Sequence, residues 1–209
     1  LYEFKNAAQA KKDEPIESLF TKGDGEAYGI EFFLNKREGD FSGWIGYTLS
    51  WTRRLFEELN NGVIFYPRYD RRHDISVAVT YNATENLSFG LTWAYATGQG
   101  FSLPSGQYEF QRVGFDNSTN LQFNYAQRND FRLPAYHKLD VSGNYKFTWL
   151  SLPCEVYLSL FNLYNRKNAF AYYVTSDETA TSNSAYTSPQ IKRITLFPFI
   201  PTIGFNVKF

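Results

Sequence analysis

Leu87-Ser88-Phe89-Gly90-Leu91-Thr92-Trp93-Ala94-Tyr95-Ala96-Thr97 alternates a large apolar residue with a small or polar one from end to end. In a β-strand successive side chains point to opposite faces. Leu87, Phe89, Leu91, Trp93 and Tyr95 therefore share one face, and Ser88, Gly90, Thr92, Ala94 and Ala96 share the other. The same period recurs on both sides of this stretch. Tyr28–Lys36 sets Tyr28, Ile30, Phe32 and Leu34 on one face, Phe41–Trp51 sets Phe41, Ile45, Tyr47, Leu49 and Trp51, and Ile75–Tyr81 sets Ile75, Val77, Val79 and Tyr81. Downstream, His137–Phe147 sets Leu139, Val141, Tyr145 and Phe147 against Lys138, Asp140, Ser142, Asn144 and Lys146. Thr202–Phe209 sets Ile203, Phe205, Val207 and Phe209 against Thr202, Gly204, Asn206 and Lys208. Glu155–Asn165 is also strand-like, but Val156, Leu158 and Leu160 share a face with Asn162, which leaves its facing open. Leu1–Phe4 fits the end of an eighth strand.

The connections alternate short and long. Glu38-Gly39-Asp40, Ala83–Asn86 and Thr148–Pro153 are short, whereas Lys5–Gly25, Arg54–Asp70, Gly98–Pro134 and Arg166–Pro189 are long. Outer-membrane barrels have this asymmetry, with tight periplasmic turns and long extracellular loops. Composition agrees: aromatics make up 19% of the 209 residues, with 16 Tyr and 20 Phe, yet mean hydropathy is −0.42. A soluble core draws first on Leu, Ile and Val, whereas strands between lipid and a polar lumen carry aromatic girdles at both interfaces. No apolar run approaches the ~18 residues of a membrane-crossing helix. The 21 basic and 21 acidic residues balance, which gives no sign of a nucleic-acid partner. Cys154 is the one cysteine, so there is no intrachain disulfide framework. There is no Met and no visible signal peptide, so the chain is expected to be processed, truncated or part of something longer.

The apolar faces could instead pack on a second sheet in a soluble sandwich. Three features favour lipid. The strands have the ~9–11 residues that cross a tilted bilayer, the opposite faces are rich in Gly, Ser, Thr, Asn and charge, and Phe41, Trp51, Tyr95, Tyr136 and Phe147 fall near strand ends. The expected fold class is all-β, a transmembrane antiparallel β-barrel integral to the outer membrane and in contact with its lipid. If the short turns are periplasmic, the last strand ends at the periplasmic side. There Phe205, Val207 and Phe209 resemble the carboxy-terminal signal read by the barrel-assembly machinery.

Six segments, in order, resemble the TonB-dependent outer-membrane receptors of Gram-negative bacteria, in their Bacteroidetes flavour. They are Gly25-Glu26-Ala27-Tyr28-Gly29-Ile30-Glu31, Gly43-Trp44-Ile45-Gly46-Tyr47-Thr48-Leu49-Ser50 and Asp70-Arg71-Arg72-His73-Asp74-Ile75, followed by Arg132-Leu133-Pro134-Ala135-Tyr136-His137-Lys138-Leu139-Asp140, Phe161-Asn162-Leu163-Tyr164-Asn165-Arg166-Lys167-Asn168 and Pro198–Phe209. The resemblance implies a barrel of about 22 strands around an N-terminal plug. Residues 1–209 would then be about seven or eight C-terminal strands of one barrel domain, with plug and earlier strands upstream. It also implies a receptor that takes up a scarce extracellular nutrient (iron chelate, vitamin, glycan or peptide) and couples to the TonB complex through that upstream region. A surface lipoprotein partner fits the same picture.

Candidate ligand contacts fall in the long loops. Tyr108, Phe110, Arg112, Phe115, Tyr125 and Arg128 lie in one, and Tyr172 and Tyr173 in the next. Aromatic faces suit a flat or sugar-like ligand and Arg suits an anionic chelate, although the same aromatics could fold the loop onto itself. Arg53 and Arg71 share the lipid-facing parity at the outer ends of adjacent strands, where Arg would contact lipopolysaccharide phosphates. Arg72, Asp74, Lys138, Asp140 and Lys146 have the lumen parity and would form ion pairs bracing the wall. His73 and His137 stand alone, with no third ligand at metal spacing, so no metal or cofactor is expected. No nucleophile elbow or other activated constellation is present, so no catalysis is expected. Two alternatives remain: a self-contained small eight-stranded barrel with a structural or adhesion role, and a barrel enzyme such as an outer-membrane lipase or protease.

Overall fold

The structure, a computed structural model, describes residues 1–5, 15–111, 119–125, 127–176 and 189–209. Two short strands, β1 (Tyr2–Phe4) and β2 (Phe20–Lys22), pair with each other. Four long strands follow: β3 (Asp24–Lys36), β4 (Phe41–Leu55), β5 (His73–Asn82) and β6 (Leu87–Ala96). The next connection contains β7 (Gly100–Phe101), the hairpin of β8 (Pro104–Gln111) and β9 (Thr119–Tyr125), and β10 (Phe131–Arg132), which pairs with β7. Then come β11 (Tyr136–Trp149), β12 (Leu152–Phe161), the hairpin of β13 (Ala169–Ser176) and β14 (Pro189–Thr195), and finally β15 (Ile200–Val207). The fold is all-β. Seven strands form one antiparallel sheet in the order β15-β12-β11-β6-β5-β4-β3, each paired with its neighbour in the chain of long strands. Among the described residues β3 and β15 are free edges, so the sheet is open rather than closed into a barrel.

The register carries the alternation across all seven strands. One row runs Phe32, Tyr47, Ile75, Tyr95, His137, and another runs Leu34, Ile45, Val77, Trp93, Leu139. Further down come Val79, Leu91, Val141 and Leu160, then Phe41, Tyr81, Phe89, Gly143, Leu158 and Ile203. All belong to one apolar face. On it, two aromatic belts flank an aliphatic band. Towards the long-loop end, Tyr28 stacks on Trp51 at 5.3 Å, Tyr47 on His73 at 6.1 Å and Tyr95 on His137 at 6.5 Å. Towards the short-turn end, Phe41 stacks on Tyr81 at 4.3 Å, Tyr145 on Phe147 at 5.9 Å, and Phe147 meets Phe205 at 6.1 Å. Such pairs add about 0.5–1.5 kcal/mol each beyond their buried area. Tyr136, expected in a belt, pairs with Ala96 and so has the parity of the other face. That face carries mostly Ser, Thr, Gly and Ala, together with the Lys138–Asp140 ion pair, a Phe33–Trp44 ring contact at 6.0 Å and Tyr157 folded over Gly204.

Among the described residues neither face has a second layer. Every residue of β3 is exposed, and the one buried apolar cluster among the described residues, Phe56, Leu59 and Phe65, lies in the β4–β5 connection. The three short turns all lie at one end, and the long connections at the other. The β11–β12 turn is only two residues, Leu150 and Ser151, both at positive φ (51° and 63°). This is the type I′ pattern that matches strand twist. Gly39, at φ 97°, serves the β3–β4 turn.

Two further expectations change. Tyr2–Phe4 does not join the seven-stranded sheet but pairs with Phe20–Lys22, just beyond the start of β3. The facing of β12 is resolved because the strand ends at Phe161. Asn162 is a left-handed turn residue at φ 52°, so its polarity does not count against the apolar face.

Candidate functional site

The long connections form a packed cap on one end of the sheet, held by two carboxylates. The Asp70 side chain is 0% exposed. It accepts the Thr52 backbone N–H at 2.8 Å from the end of β4, and the Arg132 guanidinium grips both its carboxylate and its backbone carbonyl. Arg72 approaches the same carboxylate at 3.9 Å while lying 4.8 Å from the Trp51 ring centre. One aspartate thus ties together β4, the β4–β5 connection and the return to β11. Glu3 is the second tie: it accepts from Arg54 and, at 2.9 Å, from Arg128. The Arg128 backbone donates to Asn60 at 2.7 Å and its guanidinium lies 5.3 Å from Phe65. At the periphery Lys5 meets Glu58 at 2.8 Å and holds that carboxyl below its ordinary range, with the Thr21 hydroxyl adding to the effect.

A second knot surrounds Asn162, whose side chain donates to the carbonyls of Arg166 (3.0 Å) and Phe197 (3.1 Å) and accepts the Arg166 N–H (3.0 Å). Its own N–H donates to Asp140 at 2.8 Å. This fixes the turn leaving β12. Beside it lies a polar cavity of about 220 Å³ lined by Arg166, Lys167, Asn168, Tyr172 and Arg193, with Pro134 and Ala135. The Arg166 guanidinium is held there by Ala135 O at 2.8 Å and Asn168 Oδ1 at 3.2 Å.

The expected site residues fare differently. Arg128 is a structural clamp on Glu3. Tyr172 packs 5.9 Å from Phe101 and lines the cavity. Tyr125 and Tyr173 are exposed. Tyr108 and Phe110 lie on β8, but their side chains, like Arg112 and Phe115 altogether, fall outside the described residues. Arg53 lies on the apolar parity opposite Glu26, at 3.5 Å, and Arg71 turns to Asp74 at 3.8 Å. Of the wall charges, Lys138 pairs with Asp140 at 2.6 Å, and its ammonium lies 3.8 Å from the Phe161 ring centre. His73 and His137 each hydrogen-bond a tyrosine hydroxyl at 2.9 Å, Tyr47 and Tyr164 respectively. Among the described residues no group of three or more His, Cys, Asp or Glu is placed to hold a metal. The cavity cations Arg166, Lys167 and Arg193 were not expected as site residues, because Arg193 reaches the cavity only through the β13–β14 hairpin. Comparison with protein-family models, with curated proteins and with solved structures gives no match.

Proposed function

We propose that this chain forms C-terminal strands of a plugged outer-membrane barrel, and that the whole protein is a TonB-dependent receptor taking up a scarce extracellular nutrient. One observation carries the reading: a single sheet face on which an aliphatic band is bordered by aromatic belts at both ends, with mostly small or polar residues opposite and the long connections at one end. Lipid covers the apolar face, the Ser, Thr and Gly face lines the lumen, and the capped end faces the medium. Unpaired backbone groups in hydrocarbon cost several kcal/mol each, so the reading requires further strands to join the free edges of β3 and β15. Ligand binds in the loops, and energised passage through a plug follows from the resemblance set out above. Arg53 and Arg71 contact lipopolysaccharide at the outer rim, and Phe205, Val207 and Phe209 present the assembly signal.

The runner-up is a small self-contained barrel with a structural or adhesion role. Cell fractionation followed by intact mass of the natural polypeptide separates the two. Recovery from the outer membrane at a mass several-fold above 24.2 kDa supports the receptor. Outer-membrane recovery near 24.2 kDa supports the small barrel, and recovery as a soluble protein refutes both.

A further inference from the structure

We infer that the cavity between the turn after β12 and the β13–β14 hairpin is a binding site for one small anionic group, a carboxylate or a phosphate. Arg166, Lys167 and Arg193 converge on it, and no carboxylate lines it. At the same end of the sheet Arg54, Arg72, Arg128 and Arg132 each meet Glu3 or Asp70. Among the described residues the three cavity cations meet no acidic partner. Arg166 is half-buried while Lys167 and Arg193 are exposed, so the cavity opens to solvent; gathering like charges at its mouth still opposes folding, and an anion from solution offsets that repulsion.

The cavity is also prepared in advance. Guanidinium has five N–H donors in a rigid plane. Ala135 O and Asn168 Oδ1 occupy two of those on Arg166, which leaves three in a fixed fork for a planar or tetrahedral anion. The backbone beneath is locked by Asn162, itself buried. Arg193 stands opposite Tyr172 in the hairpin register, and Tyr172 is braced by Phe101, so the far wall is ordered as well. At about 220 Å³ the cavity is smaller than the ~300–1,000 Å³ of whole-ligand pockets. It would hold a small anion, or the charged end of a larger ligand. The inference stands on this local geometry and not on transport.

The test is calorimetric titration of the full-length protein in detergent at low salt. The probes are inorganic phosphate and citrate, with purified lipopolysaccharide as a separate arm. Lys167→Gln/Arg193→Gln removes two charges that have no acidic partner among the described residues, and circular dichroism checks that this variant stays folded. Arg166→Lys keeps charge but loses the fork. Phosphate or citrate should bind, weaken about tenfold or more in both variants, and weaken as salt is added. Binding of lipopolysaccharide alone, lost in the same variants, would assign the anion to a lipid headgroup. No binding in any arm, or equal binding by wild type and the Lys167/Arg193 variant, overturns the site. Neither of those results would bear on the receptor reading, because the assay measures no transport.

Discussion

Asp70→Ala should unfasten the cap while leaving the sheet in place. The Asp70 carboxylate is fully enclosed and accepts the Thr52 N–H at 2.8 Å and the Arg132 guanidinium, with Arg72 at 3.9 Å. Hydrogen bonds to a charged group contribute about 1.5–3 kcal/mol each. Arg132 keeps 37% of its side chain in solvent, so the low end of that range applies to it. Two such bonds give a loss of about 3 kcal/mol. At about 1.4 kcal/mol per factor of ten, local opening becomes roughly a hundredfold more frequent. Hydrogen exchange read by mass spectrometry should show this in segments 56–72 and 131–135, which the carboxylate joins, and not in β5 or β6. Asp70→Asn keeps an acceptor for Thr52 and drops the charge, so about half the effect should remain. Unchanged exchange in Asp70→Ala would mean that the aspartate holds nothing, and a rise spread evenly over the sheet would mean that cap and sheet open as one unit. Either result refutes the reasoning.

Asn162→Ala removes three side-chain hydrogen bonds and places alanine at φ 52°, which should cost about 3 kcal/mol in urea unfolding. Asn162→Gly should recover only the ~1 kcal/mol of backbone strain. Ser151→Gly relieves a left-handed residue in the two-residue turn and should raise stability by up to ~1 kcal/mol, seen as a higher urea midpoint. Arg53→Ala/Arg71→Ala should lower the lipopolysaccharide that co-purifies; unchanged lipid would sink the rim contact. Glu58 should titrate below its ordinary 4.5 by NMR. Because the folded carboxyl is the stronger acid, its contact with Lys5 is present above that value and lost as pH falls through the folded one, and Lys5→Gln should bring the midpoint back up.

The facing of the strands was legible because a β-strand has no freedom in it. A one-residue slip moves every side chain to the other face, so once Leu91 and Trp93 are placed on one face the register assigns Val79 and Val77 on one neighbouring strand, and Val141 and Leu139 on the other, to that same face. The extent of the strands was less legible. Backbone pairing does not need alternation, and β3 continues through Gly25 and Ala27 to Asp24 because β4 offers partners up to Leu55. The short β11–β12 connection was legible within Thr148–Pro153, but its two-residue turn was not, because Leu150 and Ser151 occupy positions where Asn and Gly are usual. The cap was hidden for a different reason. Asp70 meets Arg132, and Arg166 and Arg193 come to line one cavity, through connections whose path has no periodicity, so no window of sequence contains both residues and the geometry between them.

The same contrast bears on what stabilises the sheet. Among the described residues the sheet has no second layer, and the buried apolar cluster belongs to the cap. Seven strands with an unsheltered apolar face would be a poor solution in water, where exposed patches of that size drive association. The geometry of the face matches a different solvent. Along β4 the lower belt's Phe41 stands six residue steps from Tyr47 and ten from Trp51 in the upper belt, or about 20 and 33 Å at ~3.3 Å per residue. Tilted by the ~40° usual in outer-membrane barrels, the span out to Trp51 projects to about 25 Å, the height of their apolar band. The proposal of a lipid-facing wall therefore accounts for the spacing between the belts as well as for their existence, whereas a soluble partner layer would give no reason for aromatics to gather at two levels that far apart.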